Sequence, residues 1–179
     1  MSLFVALLRG INVGGHNKLP MPRLRERLSD LGCRDVATYI QSGNVICGYA
    51  GTSTDLARLI AGEIEREFGF RSPILVIDAS EFMAMAEANP FHGLFKEAKN
   101  MHVLFLQEPA NDVNQERLAA LASDSERFEL IDRAFYLHAP GGIGRSRLAA
   151  GAEKCLGVTV TARNWRTVEK LCEMLAERL

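Results

Sequence analysis

Val36-Ala37-Thr38-Tyr39-Ile40-Gln41-Ser42-Gly43-Asn44-Val45-Ile46-Cys47 decides how the chain folds. Two short runs rich in β-branched and aromatic residues flank a turn centred on Gly43-Asn44, which reads as a tight β-hairpin. Upstream, Met21, Leu24, Leu28 and Leu31 recur at helical spacing, with Pro20 and Pro22 at the start and Gly32 at the end. Before that helix stands Leu3-Phe4-Val5-Ala6-Leu7-Leu8, an apolar run with the length of a buried strand. Downstream, Thr52, Ser53 and Thr54 offer caps for a helix with Leu56, Leu59, Ile60, Ile64 and Phe68 on its buried stripe. Gly69 closes that helix, and Pro73-Ile74-Leu75-Val76-Ile77 is the next strand. The order is β-α-β-β-α-β, the ferredoxin-like unit.

The same order recurs downstream. A short helix is expected from Ser80, carrying Phe82, Met83, Met85 and Ala86, before Asn89-Pro90-Phe91-His92-Gly93 interrupts the chain. Met101–Leu106 is a strand, Asn111 or Asp112 is expected to cap a helix containing Val113, Leu118 and Leu121, and a second hairpin turns at Asp132-Arg133. The glycine-rich stretch Pro140–Leu148 leads into a short helix, and Val158-Thr159-Val160 is β-like. Thr161-Ala162-Arg163-Asn164 is expected to open a final helix holding Trp165, Val168, Leu171, Cys172 and Leu175, with Thr161 and Asn164 as candidate N-caps. The expected architecture is therefore α+β, with duplicated ferredoxin-like halves, antiparallel sheets and a C-terminal helix. Residues 1–78 form the first half, 79–99 a linker helix and loop, and 100–179 the second half. The repeat lies in element order, not in residue identity.

Composition sets the outer bounds. The chain has 179 residues, 47% of them hydrophobic, and a net charge of −1. That length supports one sizeable core or two small halves, and the total charge argues against non-specific attraction to nucleic acid or membrane. Charge is uneven: Arg9–Arg34 and Arg145–Lys170 each hold six basic residues against two acidic ones. The four cysteines show neither CxxC spacing nor the ladder of a secreted scaffold, and no apolar stretch approaches a membrane span. A cytoplasmic protein with reduced, mostly buried thiols is the expectation.

The ferredoxin-like order carries a geometric consequence for chemistry. Its first and second strands run parallel, so the loop after one and the hairpin after the other leave the same end of the sheet. That places Arg9, Asn12, Gly14, Gly15 and Asn17 beside Gln41, Ser42 and Asn44. Glycines that turn the backbone through positive φ, an arginine fork and uncharged donors suit a small anionic ligand such as a nucleotide or phosphorylated metabolite. A long structural turn is the plainer reading of the same residues. Neither GxGxxG nor GxxxxGK[ST] occurs. Arg145, Ser146, Arg163 and Asn164 would complete the site if the second half folded back over it, with the last two at a helix N-terminus. No catalytic motif is complete. His16 is the one histidine placed to act as an acid or base, no cluster has metal-ligand spacing, and no cofactor is specified. A nucleic-acid-binding module using Arg23, Arg25 and Arg27 with the C-terminal basic segment is the alternative, which the near-neutral charge counts against. A third reading makes the polar motifs purely structural and puts function in a protein-interaction surface.

Leu8-Arg9-Gly10-Ile11-Asn12-Val13-Gly14-Gly15, Thr38–Asn44, Asn89-Pro90-Phe91, Gly144-Arg145-Ser146 and Thr161–Trp165 together resemble a bacterial family catalogued as domain of unknown function number 1697. The resemblance implies a two-part α+β fold with ferredoxin-like halves, and it implies no activity, cofactor or partner. In that family lysine usually follows the glycine-arginine-serine motif. Arg147 stands there in this chain, keeping the charge but replacing a compact ammonium with a planar fork.

Overall fold

A computed structural model of the chain describes residues 1–95 and 97–179. The described residues form two four-stranded antiparallel sheets and divide into two compact units, residues 1–83 with 173–179 and residues 84–172.

The first unit runs β1 (Ser2–Leu8), α1 (Met21–Asp30), β2 (Arg34–Tyr39), β3 (Asn44–Tyr49), α2 (Ser53–Phe68) and β4 (Ile74–Asp78), with sheet order β2-β3-β1-β4. Central β1 pairs antiparallel with β3 on one side and β4 on the other. Phe4, Ala6 and Leu8 face a core with Met21, Leu24 and Leu28 of α1 and Leu56, Ile60 and Ile64 of α2. Val5 and Leu7, on the opposite face, are also fully buried. Burial of both faces explains why β1 is a continuous apolar run and not an alternating one. Thr52 and Asp55 form a capping box at the start of α2, and Gly69 ends it at φ 76°.

The wet faces of α1 and α2 are joined by ions. Glu63 is only 3% exposed, and its carboxylate accepts from Arg27 Nε at 2.6 Å and Arg66 Nη2 at 2.7 Å. Burial alone would raise its pKa, but the hydrogen bonds from Arg66 and Arg27 outweigh it and hold the carboxyl below its ordinary range. Arg23 bonds Glu67 at 2.7 Å, and Arg25 donates to Thr38 Oγ1. The arginines of the basic helix are thus engaged within the unit.

The second unit carries β5 (Met101–Leu106), α4 (Gln115–Leu121), β6 (Arg127–Ile131), β7 (Ala134–His138), α5 (Arg147–Leu156) and β8 (Val160–Asn164), with sheet order β6-β7-β5-β8. This is the order of the first sheet repeated, so the fold is a duplicated ferredoxin-like α+β architecture. Leu104, Leu106, Phe135 and Leu137 pack against Leu118, Leu148, Ala152 and Leu156. A Cβ on Gly151 would lie 2.5 Å from Leu121 Cδ1, the far end of a half-buried side chain, where α5 meets α4. Two further helices, α3 (Ala79–Glu87) and α6 (Trp165–Ala176), come after the first and second sheets in the chain.

Two boundaries differ from the expectation. The cap of α4 is Asn114, whose side chain accepts from Arg117 N, and not Asn111 or Asp112. Thr161–Asn164 do not open the final helix; they complete β8, pairing residue for residue with Phe105, Leu104, Val103 and His102. The open edge of β5 requires hydrogen-bond partners, and that demand outweighs the capping preference of Thr161. Asn164 nonetheless caps α6, accepting from Arg166 N at 3.1 Å.

Candidate functional site

The end of β1 releases Arg9, half-buried, whose amide donates to Pro73 O and whose carbonyl accepts from Ser72 Oγ at 2.6 Å. Beyond Arg9 the chain closes a miniature hairpin. Asn12 N donates to Asn17 O at 3.1 Å and His16 N to Val13 O at 3.0 Å. Gly14 and Gly15 both have positive φ, 58° and 81°, as the primed turn of a two-residue hairpin requires. Two asparagines pin this hairpin. Asn12 accepts from Leu19 N and donates to Leu19 O and, across 29 residues, to Gln41 O at 2.8 Å. Asn17 donates to Gly10 O at 3.0 Å, and both asparagines sit in the left-handed region.

The Gln41–Asn44 turn lies against this loop. Leu8 N donates to Gly43 O at 2.8 Å. Asn44, completely buried, donates to Tyr39 O and Ser42 Oγ, both at 3.0 Å. Gly43 has φ 82°, and a Cβ there would stand 2.7 Å from Leu8 Cβ and 2.8 Å from Ile11 Cδ1. Side chains of Asn12, Asn17 and Asn44 therefore shape the backbone. The outer rim carries Gly14, Gly15, His16, Gln41 and Ser42, all exposed, together with two exposed aliphatics, Val13 and Ile40.

Arg145, Ser146, Arg163 and Asn164 belong to the second unit. Ser146 is buried and caps α5, accepting from Ala149 N at 2.9 Å. It shares with exposed Arg145, Arg147, Ser123 and Ser125 and with buried Glu126 a cleft of about 190 Å³. Neither Arg163 nor Asn164 lines that cleft. Arg163 lies buried in β8, its Nη1 donating to Ala162 O, and burial lowers its pKa to about 10. Asn164 Nδ2 donates to Lys99 O at 2.8 Å. His102 and His138 are buried strand residues whose pKa values burial lowers. Exposed His92 lies over the Trp165 ring, with centroids 5.6 Å apart.

Among the described residues no group of three or more His, Cys, Asp or Glu could hold a metal ion, and no helix is long and apolar enough to cross a membrane. Sequence reading missed two residues. Glu63 sits on the helical stripe between Ile60 and Ile64, and its burial was legible only from the arginine opposite it on another helix. Ile40, read as the last residue of a strand, turns at φ 48°.

No curated protein matches the chain. A solved structure described as that of a conserved bacterial protein from Streptococcus pneumoniae is similar, with a TM-score of 0.69 at 22% identity, covering 97% of this chain and 98% of that one. It shares the fold. A family model described as Protein of unknown function (DUF1697) matches residues 1–136. That span takes in the first unit's β-α-β-β-α-β order, the Arg9 loop, the turn that abuts it, and β5, β6 and the start of β7, so the chain belongs to the DUF1697 family.

Proposed function

We propose that the protein binds a small anionic ligand, a nucleotide or phosphorylated metabolite, where the Arg9–Asn17 loop meets the Gln41–Asn44 turn. Arg9 supplies the charge, Gly14 and Gly15 allow close approach to the main chain, and Gln41 and Ser42 read the uncharged part. Asn12, Asn17 and Asn44 hold the two segments in place, and Ser146 and Asn164 serve their own helix ends.

The observation that carries this reading is the bond from Asn12 Nδ2 to Gln41 O. It ties two segments remote in sequence into one rim whose shape does not depend on a ligand, and preorganisation of this kind lowers the ordering cost of binding. Charge supports the anion. No Asp or Glu occurs between Arg9 and Arg25 or between Ala37 and Thr54, while Arg9 and Lys18 lie between β1 and α1. Engagement of Arg23 and Arg27 with Glu67 and Glu63 favours a small ligand over a polyanion.

A thermal-shift panel of nucleotides, phosphorylated metabolites and carboxylates tests the proposal, with Arg9→Ala alongside. A ligand at one hundred times its Kd adds about 2.7 kcal/mol. For a chain of this size each kcal/mol corresponds to a rise of about 2–4 °C. Loss of that rise in Arg9→Ala, with the unliganded midpoint preserved, is the expected result. A rise of equal size in Arg9→Ala would overturn the assignment.

A further inference from the structure

In the second unit, the segment joining α4 to β6 and the glycine-rich segment joining β7 to α5 meet around the cleft of about 190 Å³. Glu126 forms part of its lining. That residue is only 9% exposed, and its carboxylate takes one hydrogen bond, from Ser123 N to Oε2 at 2.8 Å. Among the described residues no cation pairs with it. Adjacent Arg127 does not compensate, because its guanidinium donates to the carbonyls of Asp124 and Glu126. A carboxylate so buried has lost most of its hydration, and one amide replaces little of it. Arg145 and Arg147, both exposed, line the same cleft. Neither guanidinium pairs with Glu126 or with any other carboxylate among the described residues. α5 begins at Arg147 with no acidic residue in its first turn, so the positive end of its dipole adds to their charge. In contact, the guanidinium groups and the carboxylate would neutralise one another. Here both signs line one cavity and stay apart, which is the pattern that a small zwitterion complements.

From this arrangement we infer that the cleft binds a small zwitterion of the amino-acid class, its ammonium on Glu126 and its carboxylate on Arg145 and Arg147. The site lies wholly within the second unit and does not depend on the anion site proposed at the Arg9 loop. An ammonium donates charge-assisted bonds to Glu126 and replaces the hydration that burial removed, while a guanidinium fork matches the two oxygens of a carboxylate. Ser146 Oγ accepts from Ala149 N, which leaves its hydroxyl hydrogen for the same carboxylate. Leu121 and Ala122 add apolar lining suited to a short hydrocarbon link between the two charges. A simple anion would satisfy the arginines and leave Glu126 unpaired. A simple cation would satisfy Glu126 and meet two like charges. A zwitterion answers both.

Calorimetric titration of glycine, β-alanine and γ-aminobutyrate into the full chain tests this, with butyrate and butylamine as singly charged counterparts. The three zwitterions step the separation between the two charges. The best of them is expected to saturate the protein below about 10 mM and to bind at least about tenfold more tightly than butyrate or butylamine. Glu126→Gln keeps an oxygen to accept from Ser123 N and removes the charge, so it should cut the preference over butyrate to about threefold or less. Arg145→Gln should weaken the best zwitterion by about threefold or more and narrow its preference over butylamine. Urea midpoints measured in parallel establish that the variants are folded, and exposed Arg145 supplies the test should Glu126→Gln not fold. Butyrate binding as tightly as the best zwitterion would overturn the role of Glu126, and butylamine doing so would overturn that of the arginines. No saturation by any zwitterion below about 10 mM would overturn the site. Zwitterion binding unchanged in both variants would place the ligand elsewhere and refute the assignment to this cleft.

Discussion

Replacing Gly43 by alanine tests the abutment of loop and turn on which the candidate site depends. Two costs act together. Alanine in the left-handed region is disfavoured by roughly 1–2 kcal/mol. Its Cβ would also stand 2.7 Å from Leu8 Cβ and 2.8 Å from Ile11 Cδ1, in a core where both neighbours are fully buried. Overpacking of that kind adds about 1–3 kcal/mol. A stiffer unfolded chain returns about 0.4–1 kcal/mol, leaving a net loss of about 1–4.6 kcal/mol. Gly15→Ala is the matched control. Its φ of 81° is nearly the same, but its Cβ would meet nothing within 4 Å. Only the conformational cost remains, about 0–1.6 kcal/mol after the same offset. Urea denaturation of the two variants should therefore separate them by the packing cost. Equal losses in both would mean that the turn does not lie against Leu8 and Ile11, and the geometry of the site would fail with it.

Other consequences can be checked in the same way. Glu63→Gln removes the carboxylate that Arg27 and Arg66 share at a buried position, and should cost about 3 kcal/mol in urea denaturation. Because the folded state holds the Glu63 carboxyl below its ordinary range, its contribution is complete above the unfolded value of about 4.3 and is lost as pH falls through the folded value. Stability of Glu63→Gln should accordingly fall less steeply on the acid side than that of the wild type, and an unchanged slope would refute the linkage. Tyr136→Phe removes a 2.6 Å bond from the phenol to Met85 O and strands a buried carbonyl, so a loss of about 1–2 kcal/mol is expected by chemical denaturation. The same burial raises the Tyr136 pKa to about 12, so its ultraviolet titration should lie above that of exposed tyrosines.

Element order was legible because each strand and helix of the first unit carries its own period and its own punctuation. Pro20, Gly32, Thr52 and Gly69 stand where the ends of α1 and α2 fall. The adjacency of the Arg9 loop and the Gln41 turn came from topology alone, since β3 lies between β1 and β2. What sequence did not reveal was long-range. Thr161–Asn164 look like a capping segment until β5 is seen to need a partner along its second edge. Asn12 and Asn17 look like ligand-reading amides, and only the folded loop shows their nitrogens committed to Leu19 O, Gln41 O and Gly10 O. Ile40 gave no local signal, because a β-branched residue at the end of a strand pattern is read as strand, and its positive φ is imposed by the turn that Asn44 ties to Tyr39 O.

The central claim is that the rim formed by the Arg9–Asn17 loop and the Gln41–Asn44 turn binds an anion. Titration of adenosine monophosphate into nitrogen-15-labelled protein, monitored through the backbone amides, tests it most directly. The account predicts saturable shifts concentrated at Gly14, Gly15, Gln41, Ser42 and Gly43, with the amides of the second unit unmoved and the response abolished in Arg9→Ala. Shifts confined to the second unit, or none anywhere at millimolar nucleotide, would contradict it.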